Sequence, residues 1–379
     1  MRFLLAGGGT GGHINPALAI ADIIKNNFHD PEIAFVGTKN GMENHLVGKE
    51  GYQIYHIEAR GFQRSFSPKN VAAAWYYVAS PIKAKKLMKE FRPDIVIGTG
   101  GYVCYPPLKA AADLKIPTLV HESNATPGLA VRLLEHKVDR ILFNFPGSAE
   151  LLDEKDKCAV VGNPVRGSFG SYTRESARKA LGIGEEYRLV LLSYGGSRGA
   201  PAVNDAAIRI MKEYTSHHPE VLHIHATGKE NYAEAKREFD EAGLGSCKNI
   251  EFCDYLYDMP LKLSAADLVI SRAGAMTVTE MARLAKPCIM IPSPHVADNH
   301  QYKNAKLLAD AGAVRIIRED KVTLKVESRI VDEVSGLLSD PAARSELSRN
   351  ISAFAGEDAG VLILREIKDL LKKYEKKQS

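Results

Sequence analysis

The feature that most constrains this chain is a glycine-rich turn that occurs twice, once at the head of each half. Phe3-Leu4-Leu5-Ala6 runs into Gly7-Gly8-Gly9-Thr10-Gly11-Gly12 and His13, then into a stretch with Leu18, Ala21 and Ile24 at helical spacing. Leu189-Val190-Leu191-Leu192 runs into Gly195-Gly196-Ser197-Arg198-Gly199 and again into a helical pattern. A strand, a glycine turn and a helix start gather free backbone N–H groups and the positive helix end around an anion, usually phosphate. One such turn says little. Two, each heading a comparable half, predict twin nucleotide-fold domains with a ligand between them.

The echo continues downstream. Asp94-Ile95-Val96-Ile97 leads to Gly98-Thr99-Gly100-Gly101 and then, through Lys115 and Pro117, to Leu119-Val120. Asp267-Leu268-Val269-Ile270 leads to Ser271-Arg272-Ala273-Gly274 and, through Lys286 and Pro287, to Ile289-Met290. Short Ile/Val-rich runs separated by helical stretches are the pattern of parallel sheets covered on both faces. The fold class expected is α/β, with two Rossmann-like domains and parallel sheets. Turn residues at Gly162-Asn163-Pro164 place the break, giving domains over 1–163 and 164–356. Asp358 is expected to cap a last helix from Ala359 to Lys373, with Val361, Leu364, Ile367 and Leu371 as its apolar stripe; residues 357–379 are assigned to the first domain.

A length of 379 residues suits two domains, and a net charge of +4 gives no case for nucleic acid. The cysteines (Cys104, Cys158, Cys247, Cys253, Cys288) form no Cys-x-x-Cys pair and read as reduced thiols. No stretch approaches the ~20 apolar residues that cross a bilayer. The location expected is cytoplasmic, at most peripheral to a membrane. One segment, Phe66 to Phe91, combines Trp75, Tyr76 and Tyr77 with Lys83, Lys85, Lys86 and Lys89. That mixture suits a lipid headgroup layer, or equally a core helix beside a solvated basic one. Ser80-Pro81 reads there as an N-cap and first-turn pair.

Gly7, Gly9 and Gly12 satisfy G-x-G-x-x-G, so a dinucleotide oxidoreductase has to be weighed. That fingerprint needs an acidic residue closing the second strand, about 20 positions on. Here Ile33-Ala34-Phe35-Val36 ends in Gly37-Thr38-Lys39, and Asp30 and Glu32 lie at its wrong end. His13, at a helix N-terminus beside the turn, is disfavoured as a cation and so is kept available as a base.

Gly8-Gly9-Thr10-Gly11-Gly12-His13, His121-Glu122-Ser123-Asn124, Gly162-Asn163-Pro164-Val165-Arg166 and Gly195-Gly196-Ser197-Arg198-Gly199 occur in this order. Gly274-Ala275-Met276-Thr277-Val278-Thr279-Glu280 and His300-Gln301-Tyr302-Lys303-Asn304 follow. Together these closely resemble the MurG family, the peripheral membrane transferases of peptidoglycan synthesis, over essentially the whole chain. The resemblance implies a GT-B architecture with its active site in the interdomain cleft. It also implies transfer of N-acetylglucosamine from its UDP donor to undecaprenyl-pyrophosphoryl-muramyl-pentapeptide, giving lipid II.

By the same resemblance Glu280 takes the ribose hydroxyls, Ser197 and Arg166 the diphosphate, and the backbone near Leu256 the uracil edge. Ala275, Met276 and Thr277 open the Glu280 helix beside the donor, and Gln301 and Asn304 hold sugar hydroxyls. Thr10, Gly11, Gly12 and Asn124 line the site near the acceptor. The partners implied are UDP-N-acetylglucosamine, the lipid-linked acceptor, an anionic membrane surface at the cytoplasmic face and other cell-wall synthesis proteins. The loop from Ser293 to His300 departs from the family pattern, and Arg198 stands where a neutral residue is common.

Transfer with inversion needs a base for the acceptor 4-hydroxyl and stabilisation of the leaving UDP. The candidates for the base are His13 and Glu122. The chain has no Asp-x-Asp, so no obligatory metal or other cofactor is expected. Arg60 and Arg64 are candidate loop cations for the acceptor diphosphate. The rival functions are a sister UDP-sugar transferase acting on diacylglycerol or a small aglycone, and a non-catalytic UDP-sugar-binding scaffold.

Overall fold

The computed structural model describes residues 1–60, 68–165, 169–196, 199–296, 299–320, 325–355 and 358–378, of which 68–74 and 377–378 are described by backbone alone. The chain divides into two compact units, Met1–Arg166 with Gly356–Ser379, and Gly167–Ala355. In the first, the strands are β1 (Arg2–Ala6), β2 (Glu32–Gly37), β3 (Gln53–His56), β4 (Ile95–Gly98), β5 (Thr118–Glu122), β6 (Arg140–Phe143) and β7 (Cys158–Val160). They form one parallel sheet in the order β3-β2-β1-β4-β5-β6-β7. The second unit repeats the plan with β8 (Leu189–Tyr194), β9 (Val221–Ala226), β10 (Ile250–Cys253), β11 (Leu268–Ser271), β12 (Cys288–Met290) and β13 (Arg315–Ile316). Their order is β10-β9-β8-β11-β12-β13, again parallel.

The period-2 geometry of a strand explains why both faces are apolar. Leu4 and Ala6 of β1 point into a cluster with Val96, Val120, Leu108 and, from the helix Pro68–Phe91, Leu87, Met88 and Phe91. Phe3 and Leu5 point the other way, onto Ile14, Leu18, Ala21 and Ile24 of the helix Gly11–Asn27. The last helix, Ala359–Gln378, covers that second face. Asp358 does cap it, accepting from the Gly360 amide at 2.8 Å. Its buried stripe is Ala359, Ile363, Ile367, Leu370 and Leu371, while Val361 is exposed, so the expected stripe was out of phase at its start.

A second correction concerns Ser80-Pro81. No helix starts there: Pro81 lies inside one continuous helix, Pro68–Phe91. Ser80 is buried, and its hydroxyl donates to the Glu58 carbonyl rather than capping the amides ahead of it. Proline lacks the N–H that would continue the ladder, but packing of Ala84, Leu87 and Met88 holds the helix through it.

Both sheets reverse their strand order once, between β1 and β4 and between β8 and β11. At such a switch point the loops leaving adjacent strands diverge to opposite faces, and the carboxyl ends of the strands are left open to a ligand. All four glycine turns read from the sequence follow these four strands.

Candidate functional site

In the first unit the two turns interlock. A Cβ on Gly7 would lie 2.1 Å from Thr99 Oγ1, so only glycine allows the β1 and β4 loops to meet. Thr99 Oγ1 donates to the His13 carbonyl at 2.6 Å, and His13 Nδ1 lies 3.1 Å from the Thr99 carbonyl. A carbonyl only accepts, so Nδ1 carries the proton and Nε2 keeps its lone pair. Gly100 and Gly101, both at positive φ, leave the space the imidazole occupies, since Cβ atoms there would come within 2.8 and 3.0 Å of the ring. Burial lowers the His13 pKa and the Thr99 carbonyl only partly opposes it. The result is a neutral imidazole with one fixed tautomer, the form a general base requires.

Thr10 and Gly12 are exposed and Gly11 partly so, and the helix they open has no side-chain cap. Glu122, by contrast, is buried at the end of β5. Its Oε1 accepts from the Asn124 amide and side chain at 2.9 and 3.0 Å, and its Oε2 from the Gly128 amide at 2.8 Å. That geometry spends the carboxylate on closing its own loop and fixing Asn124. It disfavours the base role allowed to Glu122 from sequence, because a base needs a lone pair turned to substrate. His121 beside it donates from Nε2 to the Gly162 carbonyl at 2.8 Å, and burial lowers its pKa to about 4.

In the second unit Gly195 and Gly196 follow β8, and the helix Pro201–Glu213 starts after Ala200. Gly199, at φ +80°, packs so closely on the β9 loop that a Cβ would lie 1.9 Å from the Thr227 carbonyl. After β11, Gly274 opens the helix Ala275–Arg283 without a side-chain cap. Ala275, Met276 and Thr277 form its first turn and Glu280 lies one turn further in. Burial pushes the Glu280 carboxyl up to about 8. Tyr194 and Ser271, register partners on β8 and β11, are buried, and the Tyr194 hydroxyl has Thr277, Ser271 and the Glu280 carboxyl as its polar neighbours.

Gln301 is partly buried, its Oε1 accepting from the Ser293 amide at 2.9 Å. Asn304 is fully buried and donates to the Ala273 carbonyl at 3.2 Å, so it braces the Gly274 turn from below. Leu256 is buried between the exposed Tyr255 and Tyr257, over whose rings Lys229 Nζ lies at 5.4 and 5.6 Å. Arg60 lies 5.4 Å above the Tyr76 ring. Arg64, Arg166, Ser197 and Arg198 fall outside the described residues.

Two features escaped the sequence reading. A buried polar chain runs behind the second turn: Ser193 Oγ meets His223 Nε2 at 2.8 Å and His225 Nδ1 at 2.7 Å, and His225 Nε2 meets Asn204 Oδ1 at 3.2 Å. Asn204 then donates to the Thr227 carbonyl at 3.1 Å, the atom against which Gly199 packs. The signal was His-x-His inside an apolar run, which puts both rings on one face of β9. The other is Glu43, a buried carboxylate under the first turn, framed in sequence by Gly37 and Gly41.

Residues 3–143 match the model of the glycosyltransferase family 28 N-terminal domain, and residues 190–360 that of the family's C-terminal domain. A UDP-N-acetylglucosamine–N-acetylmuramyl-(pentapeptide) pyrophosphoryl-undecaprenol N-acetylglucosamine transferase of Acetivibrio thermocellus is 40% identical over 98% of this chain and 99% of its own. The transferase of the same description from Caldanaerobacter subterraneus is 38% identical, over 98% of this chain and all of its own (100%). The crystal structure of Acinetobacter baumannii MurG aligns with a TM-score of 0.73 at 27% identity, covering 98% of this chain and 99% of that one.

Proposed function

The chain belongs to glycosyltransferase family 28, and from that premise we propose that it moves N-acetylglucosamine from UDP-N-acetylglucosamine to the 4-hydroxyl of undecaprenyl-pyrophosphoryl-N-acetylmuramyl-pentapeptide. The observation that carries this reading is identity of 40% along nearly the full length of a transferase of that description. The geometry supplies parts suited to the chemistry. His13 Nε2 takes the proton of the acceptor hydroxyl as that oxygen forms its bond to the anomeric carbon. The bond from that carbon to the diphosphate breaks, the electron pair leaves with UDP, and the configuration inverts.

Charge growing on the leaving diphosphate is met by amides at the second glycine turn and at the uncapped helix start after Gly274, with Ser197 and Arg166 as further donors. Glu280 accepts the ribose hydroxyls. It must be ionised to accept from both, so hydroxyl donors reaching it favour the carboxylate that burial alone disfavours. Asn304 acts through Ala273, by holding the turn from which this helix starts.

The position proposed is peripheral, at the cytoplasmic face of the membrane, and the helix Pro68–Phe91 supports its peripheral part. Trp75, Val78 and Ile82, at helical spacing, are 68, 68 and 67% exposed, and Lys86 and Lys89 are exposed beside them. Large apolar groups so exposed, next to cations, suit a headgroup layer. No helix among the described residues is long and apolar enough to cross a membrane.

The experiment is release of UDP from UDP-N-acetylglucosamine with and without a soluble short-chain analogue of the lipid acceptor. Acceptor-dependent release is expected. If folded, UDP-binding protein turns over no donor with this acceptor, the reading is wrong and a sister transferase or scaffold takes its place.

A further inference from the structure

Glu43 is 1% exposed, yet no ion pair reaches it among the described residues. Its Oε1 accepts from the Thr38 amide at 2.7 Å and the Thr38 hydroxyl at 2.9 Å. Its Oε2 accepts from the Gly9 amide at 3.2 Å, across from the β2 loop to the β1 loop. The volume it fills is kept open by glycines: a Cβ on Gly37 would lie 2.6 Å from Glu43 Cγ, one on Gly41 2.0 Å from Oε1, and one on Gly8 3.0 Å from the carboxyl carbon. Packing alone would favour an apolar side chain of this length, because desolvating a carboxylate costs several kcal/mol unless donors replace the water. Three donors do, and one belongs to the glycine turn itself. Gly9 sits at φ +86°, with the Tyr102 ring on its other side, where a Cβ would lie 2.9 Å from Cε1.

We propose that Glu43 is a positioning residue for the first glycine turn. It clamps the Gly9 amide against Tyr102, so that the amides of Gly11 and Gly12 and the His13 ring face the diphosphate-bearing acceptor in one fixed arrangement. The proposal rests on the acceptor assignment above. It also explains why the acidic residue that follows β2 serves no dinucleotide ribose: its oxygens are turned inward and occupied.

The test is Glu43→Gln, which keeps the shape but sets an amide NH2 against the Gly9 N–H. The KM for the soluble acceptor analogue is expected to rise about tenfold or more, as loss of a charge-assisted hydrogen bond implies, with UDP affinity unchanged. Thr38→Val is the control. It removes one donor to Glu43 and the polar contact of Thr38 with the Tyr102 hydroxyl but leaves the Gly9 bond and the packing of the Tyr102 ring, so it should lower the melting temperature while sparing acceptor KM. Unchanged acceptor KM in Glu43→Gln overturns the proposal, as does an equal rise in Thr38→Val.

Should Glu43→Gln not fold, amide hydrogen exchange on the wild-type protein decides. Gly9 should be protected like the β1 amides while Gly11 and Gly12 exchange fast, and equal exchange at all three sinks the clamp. The exchange result stands even if wild-type protein shows no acceptor-dependent turnover, which would count against the function alone.

Discussion

The two glycine turns look alike in sequence and differ in how their polar groups are used. In the first unit nearly every group is tied to the protein: Gly9 to Glu43, Thr99 to His13, Asn124 and Gly128 to Glu122. The His13 Nε2 and an uncapped helix start are left at its surface, while His121 Nδ1 and Ser123 Oγ lie buried beside Glu122 without a hydrogen bond among the described residues. In the second unit the scaffold behind the turn is held through Ser193, His225 and Asn204, and no hydrogen bond of the kind Glu43 makes to Gly9 ties down the Glu280 carboxyl among the described residues. Glu280 is instead a carboxyl raised by burial, with the buried Tyr194 near it. A buried carboxyl without donors is costly as an anion, and under the proposed function the ribose hydroxyls are the donors that Glu280 lacks. A ring fixed in one tautomer suits chemistry, and a carboxyl awaiting donors suits binding.

The largest effect that tests this contrast is on His13. His13→Ala should lower kcat by about 100- to 10,000-fold, with the UDP dissociation constant unchanged. Comparable loss of UDP affinity would erase the division of labour. Glu280→Gln should do the reverse, weakening UDP binding by about 10- to 100-fold in titration calorimetry, the scale of one or two bonds to a charged acceptor. Wild-type UDP affinity should also weaken as pH falls below about 8, where the free carboxyl takes a proton, and this dependence should vanish in Glu280→Gln.

Acid should act on the scaffold more mildly, and first on the second unit. Burial holds His225 down at about 3 and His223 well below its ordinary value, against about 4 for His121 and a lowered value for His13 in the first unit. A histidine kept neutral in the folded state stabilises fully above its unfolded pKa. That stability is lost as pH falls from about 6.5 towards the folded value, at up to roughly 1.4 kcal/mol per pH unit per group. Amide exchange followed from pH 7 to pH 4 should therefore show β8 and β9 losing protection before β4 and β5. Simultaneous loss would place the acid-labile groups elsewhere. The smallest effect is at the surface: Trp75→Ser with Ile82→Ser should reduce sedimentation with anionic vesicles severalfold and leave turnover of a soluble acceptor intact.

Strand-turn-helix repetition, the Ile/Val runs and the four glycine turns were legible from the sequence because they are local: a residue's φ range and side-chain period travel with it. So did the candidacy of His13, fixed by its place one turn behind Gly9. The sequence also marked Glu122 and Asn304 as site residues without saying which way they face. Only tertiary structure decided that Glu122 turns back on Asn124 and Gly128, that Asn304 braces Ala273, and that Glu43 lies under Gly9 from 34 positions away. Hydrogen bonds between loops depend on which strands become neighbours. That order, with β4 beside β1 and β11 beside β8, is set by the packing of both sheet faces and not by any single segment. The same holds for Pro81, whose local preference to start a helix gave way to Ala84, Leu87 and Met88 in the core. Local chemistry fixed which residue types stood ready, and long-range packing fixed which were spent on the fold and which were left for substrate.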